Sequence, residues 1–262
     1  MKRGYVLLAL LCAFIVVFGA ANVGKAFAQV GSELAAATSL GTVERLTSSD
    51  DLLHYRAILS DECYAVLGMK DASGILTVRF FDTPQAFEAA KAAAGIGSAQ
   101  NPAGNMESSS SPDDSSMSAW SSTGVSPLHI GPGWHSIRAE MVIGSGSNPA
   151  NDLQSMLTYY SGSGVSSGSW WANAIWWPNW TYNGSSSNSL YKAPNSSYYK
   201  YTCTQNFKAT IGGTTYYNTI RNIIYGYSGG TWTVDFTGTQ IDSRLVSTYW
   251  FYGYRNNNGW MH

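Results

Sequence analysis

Cysteine is scarce in this chain. Three thiols occur, Cys12, Cys63 and Cys203, and none belongs to a CxxC pair or a Cys/His cluster. The sequence therefore offers no redox dithiol and no zinc-finger-type ligand set. A Walker loop and an HExxH helix are both missing, which removes the usual phosphate cradle and the usual zinc-protease site. In residues 116–262 the lysines and arginines are spread out without a cluster, so nucleic acid is not an expected partner. After Gly124 no segment has a convincing helical period, and no short repeat suggests a propeller. No metal and no cofactor are expected.

What the chain does have begins at its amino end. Lys2 and Arg3 precede an uncharged, mostly apolar run over residues 4–24, which closes on Ala26-Phe27-Ala28 before Gln29. A basic start, an apolar middle and small residues one and three positions before a break make a secretory signal peptide. Residues 1–28 are read as that signal, and the mature protein as exported. If the run were never cut it is long enough to span a bilayer, so an uncleaved signal is the one membrane attachment the sequence allows. Cys12 leaves with the signal. Cys63 and Cys203 then make either one bridge or two buried thiols.

Composition divides the mature chain near residue 115. Residues 29–115 hold five basic and twelve acidic side chains. Residues 116–262 hold seven basic and four acidic ones (Glu140, Asp152, Asp235 and Asp242). All ten tryptophans and fourteen of the seventeen tyrosines fall in the second part. The stretch 98–124 is rich in Ser, Asn, Asp and Pro and has little apolar surface to repay its ordering, so it reads as a flexible linker. Two modules are expected, over 29–97 and 125–262.

The first reads as a small acidic α+β module. Residues 52–59, 62–67 and 75–81 have strand character, with a turn at Asp71-Ala72-Ser73-Gly74. Asp82-Thr83-Pro84 opens a helix, since Thr or Asp can cap free amides and Pro fits the first turn. The alanine-rich run 86–94 propagates it, and Gly95 stops it. Phe80, Phe81 and Phe87 are the expected core.

The second module reads as a β-sandwich or jelly roll. Over 199–211 apolar and aromatic residues fill most odd positions, while Lys, Thr and Asn fill the even ones between them. Gly212-Gly213 supplies a tight turn, and 214–227 returns as the hairpin partner. Residues 137–143 and 232–236 alternate in the same way. The overall fold class is thus mainly β.

Two motifs invite a catalytic reading. Gly226-Tyr227-Ser228-Gly229-Gly230 matches the G-x-S-x-G nucleophile elbow. An elbow needs a helix after the serine and an Asp and a His further on. Here an alternating strand follows, and the next histidine is His262, so a hairpin turn is the better reading. His129 and His135 flank Gly131-Pro132-Gly133, but no third metal ligand stands out.

The tryptophan run SWWANAIWWPNW carries the functional expectation. In a strand, Trp170 and Trp176 share one face, and Trp171 and Trp177 share the other. A sandwich strand buries only one face. Exposed aromatics of that kind mark a binding surface, and flat indoles suit sugar rings. The expected ligand-binding residues are Trp171, Trp177, Asn179, Trp180, Tyr182 and Asn183. The competing reading is that the tryptophans are core. Asn179, Asn183 and Asn195 begin Asn-x-Ser/Thr sequons, which matter only in a eukaryotic secretory pathway. The sequence thus predicts a secreted, non-catalytic protein whose partner is a glycan or another cell-envelope polymer. A secreted hydrolase, and a toxin or bacteriocin-like effector with an acidic pro-region, are the alternatives.

Overall fold

The computed structural model describes residues 33–47, 52–96, 134–145, 148–160, 164–174, 180–239 and 248–256. The expected signal peptide at 1–28 and linker at 98–124 lie outside the described residues. No described helix is long and apolar enough to cross a membrane.

Thirteen strands and one helix are found among the described residues. In chain order they are β1 (Glu33–Thr38), β2 (Gly41–Arg45), β3 (Leu52–Leu59), β4 (Ala65–Lys70), β5 (Leu76–Phe81), α1 (Pro84–Ala93) and β6 (Trp134–Ser145). There follow β7 (Asn148–Tyr160), β8 (Gly164–Ala174), β9 (Thr181–Lys192), β10 (Tyr198–Ile211), β11 (Thr214–Tyr227), β12 (Trp232–Thr239) and β13 (Thr248–Asn256). They build two antiparallel sheets. One has seven strands in the order β1-β2-β3-β12-β11-β10-β9, the other six in the order β5-β4-β13-β6-β7-β8. The sheets pack face to face, with β10 and β11 over β6 and β7. The architecture is a β-sandwich, as the alternating segments predict.

Local chemistry explains the elements. In β10 every odd residue from Tyr199 to Ala209 is buried. Those side chains meet the partner sheet, and the even positions point away from it. Gly212 and Gly213 take φ of 56° and 82°, the left-handed pair that a two-residue hairpin turn requires. Thr83 caps α1 by accepting from the Ala86 N–H (3.4 Å), and Pro84 fills the first turn. At the other end Gly95 adopts φ 69°, and Ile96 N–H reaches back to the Lys91 carbonyl (2.9 Å). That Schellman arrangement plants the buried Ile96 beneath the helix.

The division into two modules needs correcting. β3 pairs with β12 from Trp232↔Leu59 to Thr239↔Leu52. β4 pairs with β13 from Tyr254↔Ala65 to Tyr249↔Lys70. The acidic first part therefore has no sheet of its own; its strands extend both sheets of the sandwich, β1–β3 beyond β12 and β4–β5 beyond β13. Charge composition fails to mark the boundary because charge sits on surfaces, whereas strand pairing is decided by backbone groups and by the buried faces.

Side chains tie these strands in further. Phe251 of β13 crosses between the sheets to stack on Tyr55 of β3, 5.0 Å between centroids, and packs on Phe236 of β12 at 4.8 Å. The Tyr55 and Tyr249 hydroxyls share a buried hydrogen bond of 2.5 Å. Arg255 is fully buried and donates to the carbonyls of Gly230 and Asp61, joining the β11–β12 and β3–β4 connections. Phe81 and Phe87 are buried under α1 as expected, yet Tyr252 of β13 completes their cluster. Phe80 is only part-buried and packs on the other side, against the main core between the sheets.

Candidate functional site

The predicted tryptophan surface does not assemble as a unit. Trp170 points into the sandwich and is 7% exposed. Trp171 takes the opposite, outer face of β8 as predicted, half-buried, with the Arg138 guanidinium 5.6 Å from its ring. Trp180 corrects the expectation: at 4% exposed it belongs to the core between the sheets and presents no ring to a ligand. Tyr182 is 38% exposed, but its hydroxyl donates to the Ala172 carbonyl and so laces edge strand β9 to edge strand β8. Asn183 is exposed on β9. Trp177 and Asn179 lie outside the described residues, as does His129.

Other predicted features resolve plainly. Cys63 and Cys203 are two free, buried thiols, each with its pKa pushed up to about 12 chiefly by burial. Gly226 to Gly230 is the turn between β11 and β12, closed by Gly230 N–H on the Tyr227 carbonyl (3.0 Å). The strand that follows, not a helix, removes the geometry of a nucleophile elbow. His135 is buried against Tyr159, 5.3 Å between rings. No group of three or more His, Cys, Asp or Glu gathers as a metal site among the described residues.

A different aromatic surface does assemble. On the outer face of the seven-stranded sheet, Tyr191 of β9 is opposite Lys200 of β10, and Lys200 is opposite Tyr225 of β11. One rung along, Tyr198 is opposite Tyr227. The four rings form a continuous patch. Tyr191 and Tyr198 lie 5.8 Å apart, Tyr198 and Tyr225 6.2 Å, and Tyr198 and Tyr227 6.1 Å between centroids. Tyr225 and Tyr227 are 6.3 Å apart and almost parallel, at 11°. The Lys200 ammonium sits 5.6 Å from the Tyr225 centroid, a cation–π contact. Tyr191 is 45% exposed and the other three are half-buried.

Among the described residues the one helix lies against β4 and β5, on the other sheet. The platform's flank is held by Arg56 and Asp235, whose bidentate pair has both contacts at 2.7 Å. That pairing holds the Arg56 pKa above its ordinary value. Tyr225 beside it is also raised, first by burial and then by the Asp235 charge. Thr202 and Thr233 stand on the same outer face, next to the rings. The arrangement brings together flat π faces, hydroxyls and a cation.

Reading the tryptophan run alone overlooked these tyrosines. Their signal was the alternation of β10 carried one residue back, which puts Tyr198 outward with Lys200. Its hairpin register then brings Tyr225 and Tyr227 alongside.

A second cluster lies on the outer face of the six-stranded sheet. Glu140 of β6 and Asp152 of β7 are neighbouring carboxyls on this face, 7% and 3% exposed. Tyr252 donates to Glu140, while Gln154 and Asn173 each donate to Asp152 at 3.2 Å. Burial, and then the Asp152 charge, hold the Glu140 pKa well above the carboxylate range. Burial lifts Asp152 to about 6, against the pull of its hydrogen bonds. Two sealed carboxyls of like charge therefore hold on to protons more tightly than exposed ones do.

Comparison with protein families, with curated proteins and with solved structures finds no match. The class of protein is therefore given by its architecture: a two-sheet antiparallel β-sandwich with a tyrosine platform on one outer face.

Proposed function

We propose that this is an exported, non-catalytic binding protein that engages a surface or envelope carbohydrate polymer through the tyrosine platform. The observation that carries the reading is the contiguity of Tyr191, Tyr198, Tyr225 and Tyr227 over three neighbouring strands of one outer sheet face. Exposed aromatic side chains in one patch oppose solubility and are informative for that reason. Ring faces of this kind pack on the C–H faces of sugars, and Tyr, Thr and Lys200 supply hydrogen bonds at the edges. Flat strands hold the rings at fixed spacing, so little ordering is lost on binding. The export half of the proposal rests on the basic, apolar and Ala-Phe-Ala pattern of the first 28 residues.

The test is a glycan array probed with the purified full mature chain and with Tyr191→Ala and Tyr225→Ala variants. Retention on a subset of polysaccharides is expected, and each variant should weaken it by roughly tenfold, the range of a hot-spot aromatic. Undiminished binding by both variants, or no binding at all, defeats the platform. Amino-terminal sequencing checks export: exported material should begin at Gln29, and a start at Met1 counts against it.

A further inference from the structure

The half of the sheet that carries the platform is built without negative charge. From residue 153 to residue 234 the sequence contains no Asp or Glu, while Lys192, Lys200, Lys208 and Arg221 all fall there. Three of these cations share the outer face with the tyrosines. Lys200 is opposite Tyr225, Arg221 is opposite Thr204, and Lys208 is opposite Tyr217. Measured along β10 these rungs are four residues apart, so the charges recur about every 13 Å over a line of about 27 Å. Arg221 and Lys208 are exposed, and Arg221 is oriented by its Nε–H on the Thr204 hydroxyl (3.2 Å). Of the acids on this face, Asp235 is held by the bidentate pair with Arg56, and Glu44 stands opposite Arg56 in the β2–β3 register.

The protein as a whole does not favour polyanions. Its formal net charge is −1. A cationic line on such a molecule is a local feature, set beside the only aromatic platform found among the described residues of that sheet face. We infer that the ligand is an anionic polysaccharide, one whose sugar rings carry carboxylate, sulfate or phosphate groups. The rings stack on the tyrosines at one end, and the charges run along Lys200, Arg221 and Lys208 toward the hairpin tip. This rests on the platform reading above and narrows it to a ligand class. Exposed ion pairs of this kind each contribute modestly and are screened by salt, so recognition is a sum over the line.

Dextran and dextran sulfate separate the two ideas because they differ in charge and share a backbone. Binding of the full chain to each is measured by titration at 50 mM and 300 mM salt, with a poly-dT oligonucleotide as a third probe. Dextran sulfate should bind more than tenfold tighter than dextran at low salt, and lose most of that advantage at high salt. Lys200→Gln, Lys208→Gln and Arg221→Gln should each weaken it by about two- to fivefold, while Arg79→Gln on β5 of the other sheet leaves it unchanged. Equal, salt-insensitive binding of both dextrans that is still lost in Tyr225→Ala overturns the charge inference and leaves the platform standing. Binding that no Tyr or Lys variant alters defeats both. Tighter binding of poly-dT than of dextran sulfate, with the same loss in the variants, also overturns the inference, because the partner would then be a nucleic acid.

Discussion

Glu140 and Asp152 are two carboxyls buried on neighbouring strands of the outer face of the six-stranded sheet, close enough that the Asp152 charge raises the Glu140 pKa. The groups facing them come from every element around. They are Tyr252 of β13, Lys91 of α1, Arg138 of β6, Gln154 of β7, Asn173 of β8 and Tyr182 of β9. Such a pair is stable only while it keeps a proton. Both folded-state pKa values are raised, so the native state binds more protons than the unfolded chain. That stabilisation is fully present below about pH 4 and is lost as the pH rises through the folded values, the first of which is near 6 for Asp152.

Thermal unfolding should therefore show stability falling from pH 5 to pH 8. Asp152→Asn keeps the shape and the polar contacts but cannot ionise. It should flatten that slope and raise stability at pH 8 by roughly 1–3 kcal/mol, since each pKa unit is worth about 1.4 kcal/mol. A variant with the same slope as the parent would show that the pair does not titrate in this range.

Gly226 and Ser228 sit two residues apart in the G-x-S-x-G match, and their substitution should have opposite outcomes. A Cβ on Gly226 would lie 2.3 Å from the Tyr159 ring, so the glycine is there to let that ring cross the sandwich. Gly226→Ala should destabilise by about 1–3 kcal/mol through overpacking. Ser228 is exposed in the turn, and Ser228→Ala should leave stability and binding unchanged. Denaturant titration of both variants is the check. A functional loss in Ser228→Ala with full stability would reopen the nucleophile reading.

The thiols give a chemical test of burial. Cys63 donates to the carbonyls of Ala65 (3.4 Å) and Phe81 (3.7 Å), and both thiols are held neutral far above physiological pH. Since the thiolate is the reactive form, alkylation by iodoacetamide at pH 8 should be negligible in native protein and complete in denaturant. Rapid native labelling of either residue, read by mass spectrometry, would place it at the surface.

Much of the sandwich was legible because period-two alternation is a direct image of a half-buried strand. β10 was readable to within one residue of its start, the Gly-Gly turn and β11 were readable as they stand, and α1 was readable from Thr83-Pro84 and Gly95. Partner choice between distant strands was not. Nothing in Leu52–Leu59 announces Trp232–Thr239 as its neighbour, because pairing runs through backbone groups common to all residues. The site failed for a related reason. Trp170 and Trp171 alternate as predicted, but Trp180 follows a break in the strand and turns inward, so strand parity no longer applied to it. The tyrosine platform, by contrast, is assembled from three strands, and Tyr191, Tyr198 and Tyr225 are seven and twenty-seven residues apart in sequence. Only the register brings them together.

The pairing of β3 with β12 and of β4 with β13 predicts how the chain behaves when it is cut. Placing a site-specific protease sequence within 98–124 and cleaving it leaves two fragments with no covalent link. Backbone ladders of eight and six residue pairs still join them. So do the Tyr55–Tyr249 hydrogen bond, the Phe251 stack on Tyr55 and the buried Arg255 contact to the Asp61 carbonyl. The cleaved protein should elute at its original size and separate only in denaturant. Residues 125–262 expressed alone should fail to give a cooperative unfolding transition. β12 and β13 would then carry unpaired edges at the centre of each sheet, and Phe251 would face a gap where Tyr55 belongs. Losing a ring contact of this kind costs about 3–5 kcal/mol on its own, a large part of the stability of an ordinary domain. Fragments that separate without denaturant, or an isolated 125–262 with native tryptophan emission and cooperative melting, would show instead that the two compositional parts fold apart.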